Sequence, residues 1–340
     1  VSRAERLVRR IDAFQQAHQP FSFVFAVNKK AGDDNAGPLI GNLAYVGFLS
    51  VFPLLLLAVT VLQILAGSYP GIHDTLDRSI VADLPIVGGQ LVSHVSPLHR
   101  SNVIGLVVGL LGLLWGATGL AGAGMFTMAQ VWNVPGVDRP NYLKRLGRAG
   151  LFLVMLAVDL AVTGLLAGFG TYGPHRAALV AGSEVLSGAV NAAAYFIAFR
   201  ILTPHSVASH RLLPGAFVGG VAWTALLALG GYVIGHDLRH DTAVYGFFAY
   251  VLGLVAWIYL AARIFVFAAE VNVVLAFRLW PRSIVQPPLT EADRRSLALQ
   301  VTANRRRAEQ LVEVTWPGLA SPDEQGEDVP ARSLKETSAG

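Results

Sequence analysis

The chain reads as an all-α, polytopic membrane protein: a six-transmembrane-helix bundle with both termini cytoplasmic. Three observations predict that class. Six apolar stretches, approximately Ile40–Ala66, Val103–Thr127, Ala149–Phe169, Val185–Leu202, Leu213–Gly235 and Val244–Leu275, dominate the 340 residues. Each reaches the roughly 17–25 residues that cross about 30 Å of hydrocarbon. Charge is scarce: 54% of residues are hydrophobic and 14% charged, mean hydropathy is +0.52, and soluble domains carry about 25% charged residues. Finally, Lys and Arg fall on one side. Of the 26, six precede the first stretch, four follow the second, Arg200 and Arg211 bracket the fourth loop, and nine follow the sixth. The alternate loops hold Arg78, Arg100, Arg176 and Arg239, and Arg263 lies within the last stretch. The positive-inside rule then places both ends in the cytoplasm. The pI of 9.5 reflects that topology rather than nucleic-acid binding.

Four parts follow along the chain: a cytoplasmic or interfacial segment over 1–39, the transmembrane domain over 40–279, a cytoplasmic tail with a short charged helix over 280–316, and a disordered tail over 317–340. In the first, Ala4–Phe14 place Leu7, Ile11 and Phe14 on one helical face and Arg3, Arg6 and Arg10 on the other. That pattern suits either a helix lying on an anionic leaflet or an ordinary solvated helix. Phe21–Val27 is apolar but too short to span, so it dips into the interface or packs under the bundle. Asp33, Asp34 and Asn35 are expected to cap the first span. The first apolar stretch is too long for a signal-peptide core and is read as a retained span.

Pro53 sits about 20 Å along from Ile40 and removes the hydrogen bond to the Leu49 carbonyl, so a kink is expected, with Ser50 or a neighbouring helix satisfying the freed group. The second span carries Gly105, Gly109, Gly112, Gly116, Gly119 and Ala123 on one stripe. Small residues in that register let helices approach backbone to backbone, the main source of helix association in lipid. Gly215, Gly219 and Gly220 repeat the theme in the fifth span. Oligomerisation through such stripes is permitted. The loop over 67–101 is long enough for one or two short helices. Thr290 with Asp293 marks a helix start, with a charged helix to about Val314. Beyond Pro317, Pro, Gly, Ser and acidic residues predict disorder.

The ionisable residues inside the spans are the candidate chemistry. Asp159 lies about 15 Å into the third span, near the midplane, where an acid costs roughly 2.5–3.5 kcal/mol and must face the bundle interior or a wet cavity. It is either a protonatable or substrate-coordinating group, or a neutral hydrogen-bonded acid that holds helices together. Arg263 and Glu270 lie about 27 and 37 Å along the last span from Tyr245, close to the cytoplasmic interface. Arg263 is expected to snorkel. Glu270 and Asn272 are expected to latch onto the basic loop that carries Arg139, Arg145 and Arg148. His236, Asp237, His240 and Asp241 have metal-compatible spacing, but they sit in a short polar loop with no complementary cluster, so no metal is assigned. The chain has no cysteine, which excludes disulfides and thiolate sites. It has no phosphate-binding loop, no Ser-His-Asp arrangement and no water-exposed carboxylate cluster of the kind a nuclease needs. Neither a cofactor nor an enzymatic activity is expected.

Several runs resemble a known family. Gly41, Asn42, Leu43, Ala44 and Tyr45 followed by Phe48 to Pro53 resemble an Ala-Tyr and Ser-x-Phe-Pro-Leu signature of the YihY/BrkB-like bacterial inner-membrane proteins, some of which were labelled ribonuclease BN. Trp115, the run Trp132, Asn133 and Val134, Arg139 with Pro140, and Lys144 with Arg145 are similar to that family's second span and following loop. Leu213, Pro214, Gly215 and Ala216 with Trp223 resemble the start of its fifth span, and Tyr245, Gly246, Trp257, Tyr259, Glu270 and Asn272 resemble its last. The likeness covers about Asp33 to Leu279. It implies a six-helix bundle in the bacterial cytoplasmic membrane, with a role in envelope lipid movement or envelope integrity. Asp159 and Arg263 depart from the family pattern.

Two functions follow as expectations. One is a transporter or flippase-like protein for a lipid or envelope precursor, with membrane lipids and anionic cytoplasmic headgroups as partners. The other is a non-transporting scaffold that recruits envelope partners through its tail. Ribonuclease activity and nucleic-acid partners are not expected.

Overall fold

The computed structural model describes residues 3–68, 102–139, 141–169, 176–236 and 242–316. Among them are nine α-helices and two short 3-10 turns, and no strand. We number the helices α1 (Arg3–Ala17), α2 (Gln19–Asp33), α3 (Ala36–Ser68), α4 (Asn102–Val131), α5 (Tyr142–Phe169), α6 (Arg176–Leu202), α7 (Leu213–His236), α8 (Thr242–Phe277) and α9 (Glu291–Ala303).

Among the described residues, five stretches are long and apolar enough to cross a bilayer: Ala36–Leu56, Leu106–Val131, Val185–Leu202, Ser209–Gly230 and Val251–Phe277. The sequence predicts six. The remaining one, expected over Ala149–Phe169, forms helix α5, whose first turns carry Lys144, Arg145 and Arg148.

The long helices form a ring: α3 on α4, α4 on α5, α5 on α6, α6 on α7, α7 on α8, and α8 back on α3. Small residues set the closest seams. A Cβ on Gly112 would lie 2.8 Å from Pro53, one on Gly116 2.9 Å from Ser50 Oγ, and one on Gly119 3.2 Å from Val46. Gly109 is buried in the same helix, and the surroundings of Gly105 lie outside the described residues. Gly219 faces the Tyr195 ring and Gly220 the Ala192 backbone across α6 and α7, while Gly230 faces Trp257 across α7 and α8. Pro53 therefore abuts a glycine of α4. Ser50 Oγ donates to the carbonyls of Val46 (2.8 Å) and Gly116 (3.1 Å), so it tethers α3 to α4 rather than serving the Leu49 carbonyl.

The core is concentrated at one end of the ring, where α2, the α4–α5 and α6–α7 connections and the segment after α8 meet. Leu212, Val266, Val273, Val274 and Leu279 are fully buried there. Elsewhere large apolar side chains point outward from the spans, among them Leu111, Trp115, Leu229 and Leu252. Apolar exposure on this scale marks a membrane-facing surface.

Two sequence expectations are corrected at the packed end. Asp33 and Asp34 do not serve as a simple cap for α3: Asp33 binds Arg282 and Asp34 binds Lys30, because burial there demands a cation for each. Helix α9 stops at Ala303, not near Val314. Asn304 forms its C-cap, and three consecutive arginines follow whose charges repel along a helix; Arg305 turns to Asp138 and Arg307 to Glu309. The start of α9 is a capping box between Thr290 and Asp293. Phe21–Val27 lies within α2, with Ala26 and Val27 buried and Phe23 edge-on to Trp280 at 5.6 Å, under the bundle. In α1, Leu7, Ile11 and Phe14 are exposed while Asp12 and Gln15 are buried. The expected helices over 67–101, the Asp237 to Asp241 segment and the tail beyond 316 lie outside the described residues.

Candidate functional site

Inside the ring is a cavity of about 380 Å³, lined by residues from all six long helices. Most of its wall is apolar, and its polar groups converge from four elements: Ser50 on α3, Asp159 on α5, Asn191 and Tyr195 on α6, and Trp223 on α7. Asp159 is half-buried, and its Oδ1 is buried without a hydrogen-bond partner among the described residues. Asn191 is held in place: its Nδ2 donates to Thr224 Oγ1 at 3.0 Å, and that hydroxyl donates to the Gly220 carbonyl. The sequence shows Asp159 as an intramembrane acid. It gives no sign that Ser50, Asn191 and Tyr195 join it, because Ser50 comes from α3 and Asn191 and Tyr195, one turn apart, from α6.

Along α4, α6 and α8, the cavity-lining Gly124, Ala198 and Ala262 are followed toward the packed end by Met128, Phe199, Leu202 and Val266, each at most 2% exposed. Phe199 stacks edge-on with Tyr195 (5.8 Å) and Phe265 (5.2 Å). The cavity is thus separated from the charged end by a tight apolar layer.

Beyond that layer lies a buried charge cluster. Lys30 and Glu270 are both 0% exposed. The Lys30 ammonium pairs with Asp34, donates to the Val131 carbonyl at 3.2 Å and lies 3.9 Å from Glu270 Oε2. Val131 ends α4, so Lys30 satisfies one of the carbonyls a helix C-terminus leaves unpaired. Burial pushes the Asp34 carboxyl above its ordinary value, against the opposing pull of Lys30. Asn133, in the left-handed region at φ 49°, donates to Asp34 at 3.2 Å. The expected latch between Glu270 and the basic loop is not formed. Glu270 faces Lys30, the nearer buried cation. Asn272 Oδ1 accepts from the Gly215 N–H at 2.6 Å, closing a free donor in the first turn of α7. Arg139 donates to Gln130 and Arg148 to the Thr203 carbonyl. Arg263 is exposed, with its guanidinium 5.5 Å from the Phe267 ring, one turn nearer the charged end.

A second network ties the segment after α8 to the N-terminal helices. Arg282, 1% exposed, donates to Asp293 (2.8 Å), Asp33 (2.6 Å) and Ser296 (3.1 Å). Asp293 also accepts from Lys29 (2.8 Å), from the Ser283 N–H (3.0 Å) and hydroxyl (2.7 Å), and from Thr290. Burial alone would raise its carboxyl, but the hydrogen bonds from Lys29, Ser283 and Arg282 outweigh that and hold it far below the usual carboxylate range. Asp12 accepts from the Ile284 and Val285 N–H groups, and Gln15 donates to the Arg282 carbonyl. Sequence reasoning missed this clamp; its one local signal was the Thr290 and Asp293 helix start.

A ring of long apolar helices around an interior cavity, with apolar side chains facing outward, defines a multi-pass α-helical membrane protein. The chain matches the family model for virulence factor BrkB over residues 27–287, and it belongs to that family. No curated protein and no solved structure matches it. The matched region takes in α2 from Val27, the six long helices and Arg282, but not α9.

Proposed function

We propose that the chain moves an amphiphilic lipid or envelope precursor across the bacterial cytoplasmic membrane through a six-helix bundle, with Asp159 as the polar contact along the path and both termini in the cytoplasm. The observation that carries this reading is the cavity among all six long helices, lined by an acid whose Oδ1 has no partner among the described residues. Its size falls within the ~300–1,000 Å³ of ligand sites, and its mix of apolar wall and a few convergent polar groups suits a molecule with both characters. An acid at that depth is costly unless it is used or neutralised. The packed layer at Met128, Phe199 and Leu202 acts as the closed gate on the cytoplasmic side, and the positive-inside distribution of Lys and Arg supports that sidedness. No catalytic chemistry is assigned to the site.

The test is reconstitution of the full chain in liposomes with fluorescent phospholipids, comparing transbilayer movement for the natural protein and Asp159→Asn. Movement that the substitution reduces at least tenfold, with the protein still monodisperse, supports the proposal; movement indifferent to Asp159 removes it. Recruitment of envelope partners through the tail is tested by truncation after residue 316. Truncation after Pro287 is uninformative, because it deletes Asp293 and thereby breaks the clamp on Arg282 and Lys29.

A further inference from the structure

A second cavity, of about 470 Å³, lies between α3, α4 and α5 at the end of the ring nearer the charged cluster. Its floor is Gly116, Gly119 and Gly122 of α4, and its walls include Tyr45 on α3 and Tyr142 on α5. Arg145 is the one charged residue of the lining. Its guanidinium lies over α4, 3.4 Å from where a Gly122 side chain would begin. Among the described residues Arg145 has no side-chain hydrogen bond or ion pair, unlike Arg139, Arg148 and Arg282. From Gly122 to Gly116 the groove runs about 9 Å into the span. It ends beside Trp115, 67% exposed, on a helix whose neighbouring Leu111 and Leu114 are also exposed.

We infer that this groove binds an anionic phospholipid from the surrounding leaflet. The phosphate sits on Arg145, and the first part of an acyl chain lies along the glycine floor toward Trp115. Four features favour that occupant. The groove opens sideways on the apolar surface of a membrane span, where lipid is the neighbouring molecule. Its single unpaired cation sits at the shallow end, where headgroups lie, and among the described residues no acid lines the groove. Guanidinium and phosphate form charge-assisted, often bidentate bonds. Tyr45 and Tyr142, both exposed, stand at the same end, and amphipathic rings favour the headgroup level. The inference rests on the membrane placement of α3 to α5 and not on translocation through the central cavity. Only the Ser50 wall is common to the two.

The experiment is native mass spectrometry of the full chain in mild detergent, titrated with phosphatidylglycerol or phosphatidylcholine, for the natural protein, Arg145→Gln, Arg145→Lys and Arg211→Gln. Arg211 is an exposed cation outside the groove. Phosphatidylglycerol is expected to bind more tightly than phosphatidylcholine. Arg145→Gln should weaken it about tenfold, as removal of one charged hydrogen-bonding group does, with substantial recovery in Arg145→Lys and no change in Arg211→Gln. Quenching by brominated phosphatidylglycerol should disappear selectively in Trp115→Phe. Equal affinity for the two lipids, an Arg145→Gln value within twofold of the natural protein, or an equal loss in Arg211→Gln overturns the inference. Asp159 variants bear only on translocation, so the two readings fail separately.

Discussion

Replacing Asp293 with Asn is expected to release helix α9 from the body of the protein. The carboxylate is fully buried and bridges two cations, Lys29 and Arg282, each at 2.8 Å. An asparagine keeps the shape and one acceptor. Its amide can still serve Ser283 and Thr290, but the NH2 group then points at the two cations. Arg282 stays buried with Asp33 as its remaining anion. Breaking a buried pair by removing one partner costs about 3–5 kcal/mol. Taking ~3 kcal/mol for local opening of α9, the open population rises roughly 100-fold, at tenfold per ~1.4 kcal/mol. Amide hydrogen exchange reads that population in cooperative local units, so the amides of Ser296 to Val301 should exchange about 100-fold faster while those of α8 remain unchanged. Exchange within threefold of the natural protein across α9 would show that the network does not hold the helix.

Three further outcomes follow from the same packed end. Lys30→Met leaves Asp34 and Glu270 buried without a cation and should lower stability by about 3–5 kcal/mol, seen as loss of monodisperse protein on size exclusion. Gly215→Ala places a Cβ against the Ala268 carbonyl and the Asn272 side chain. Neither can yield cheaply, and a cost of about 1–3 kcal/mol is expected, whereas Gly37→Ala meets nothing within 4 Å and should leave thermal stability unchanged. Because the folded state depresses the Asp293 carboxyl, its stabilisation is complete above the unfolded value near ~3.9 and is lost as pH falls toward the lower folded value. Protection of α9 should therefore be flat from pH 5 to 7 and decline below about pH 4.

What could be read in the sequence depended on the range of the interaction involved. Apolar length gave the helices, because spanning a bilayer leaves backbone groups no partner except their own helix. The glycine stripe of α4 was visible as a register, and Gly112, Gly116 and Gly119 meet α3. Which helix they meet was not visible, since many surfaces accept a smooth stripe. Thr290 and Asp293 were legible as a helix start because a capping box is local. The rest of Asp293's role was not: Lys29 lies far away in the chain and reaches it only after α1, α2 and the segment beyond α8 have converged. The misassigned latch has the same origin. Glu270 needed a cation at the charged end, and the basic loop after α4 was the obvious supply in sequence; the fold brings Lys30 closer. Asp159 stood out by its cost in lipid, but the cavity around it depends on six separate helices.

The measurement that bears most directly on the central cavity as a transport path uses the absence of native cysteine. Ala194, which lines the cavity, and Leu227, an exposed residue on α7, are each replaced by Cys. Each variant is labelled with a bulky maleimide and assayed for phospholipid movement in liposomes. Labelling at Ala194→Cys should stop movement, and labelling at Leu227→Cys should leave it intact. Movement that continues at its unlabelled rate after complete labelling at Ala194→Cys would contradict a path through the cavity.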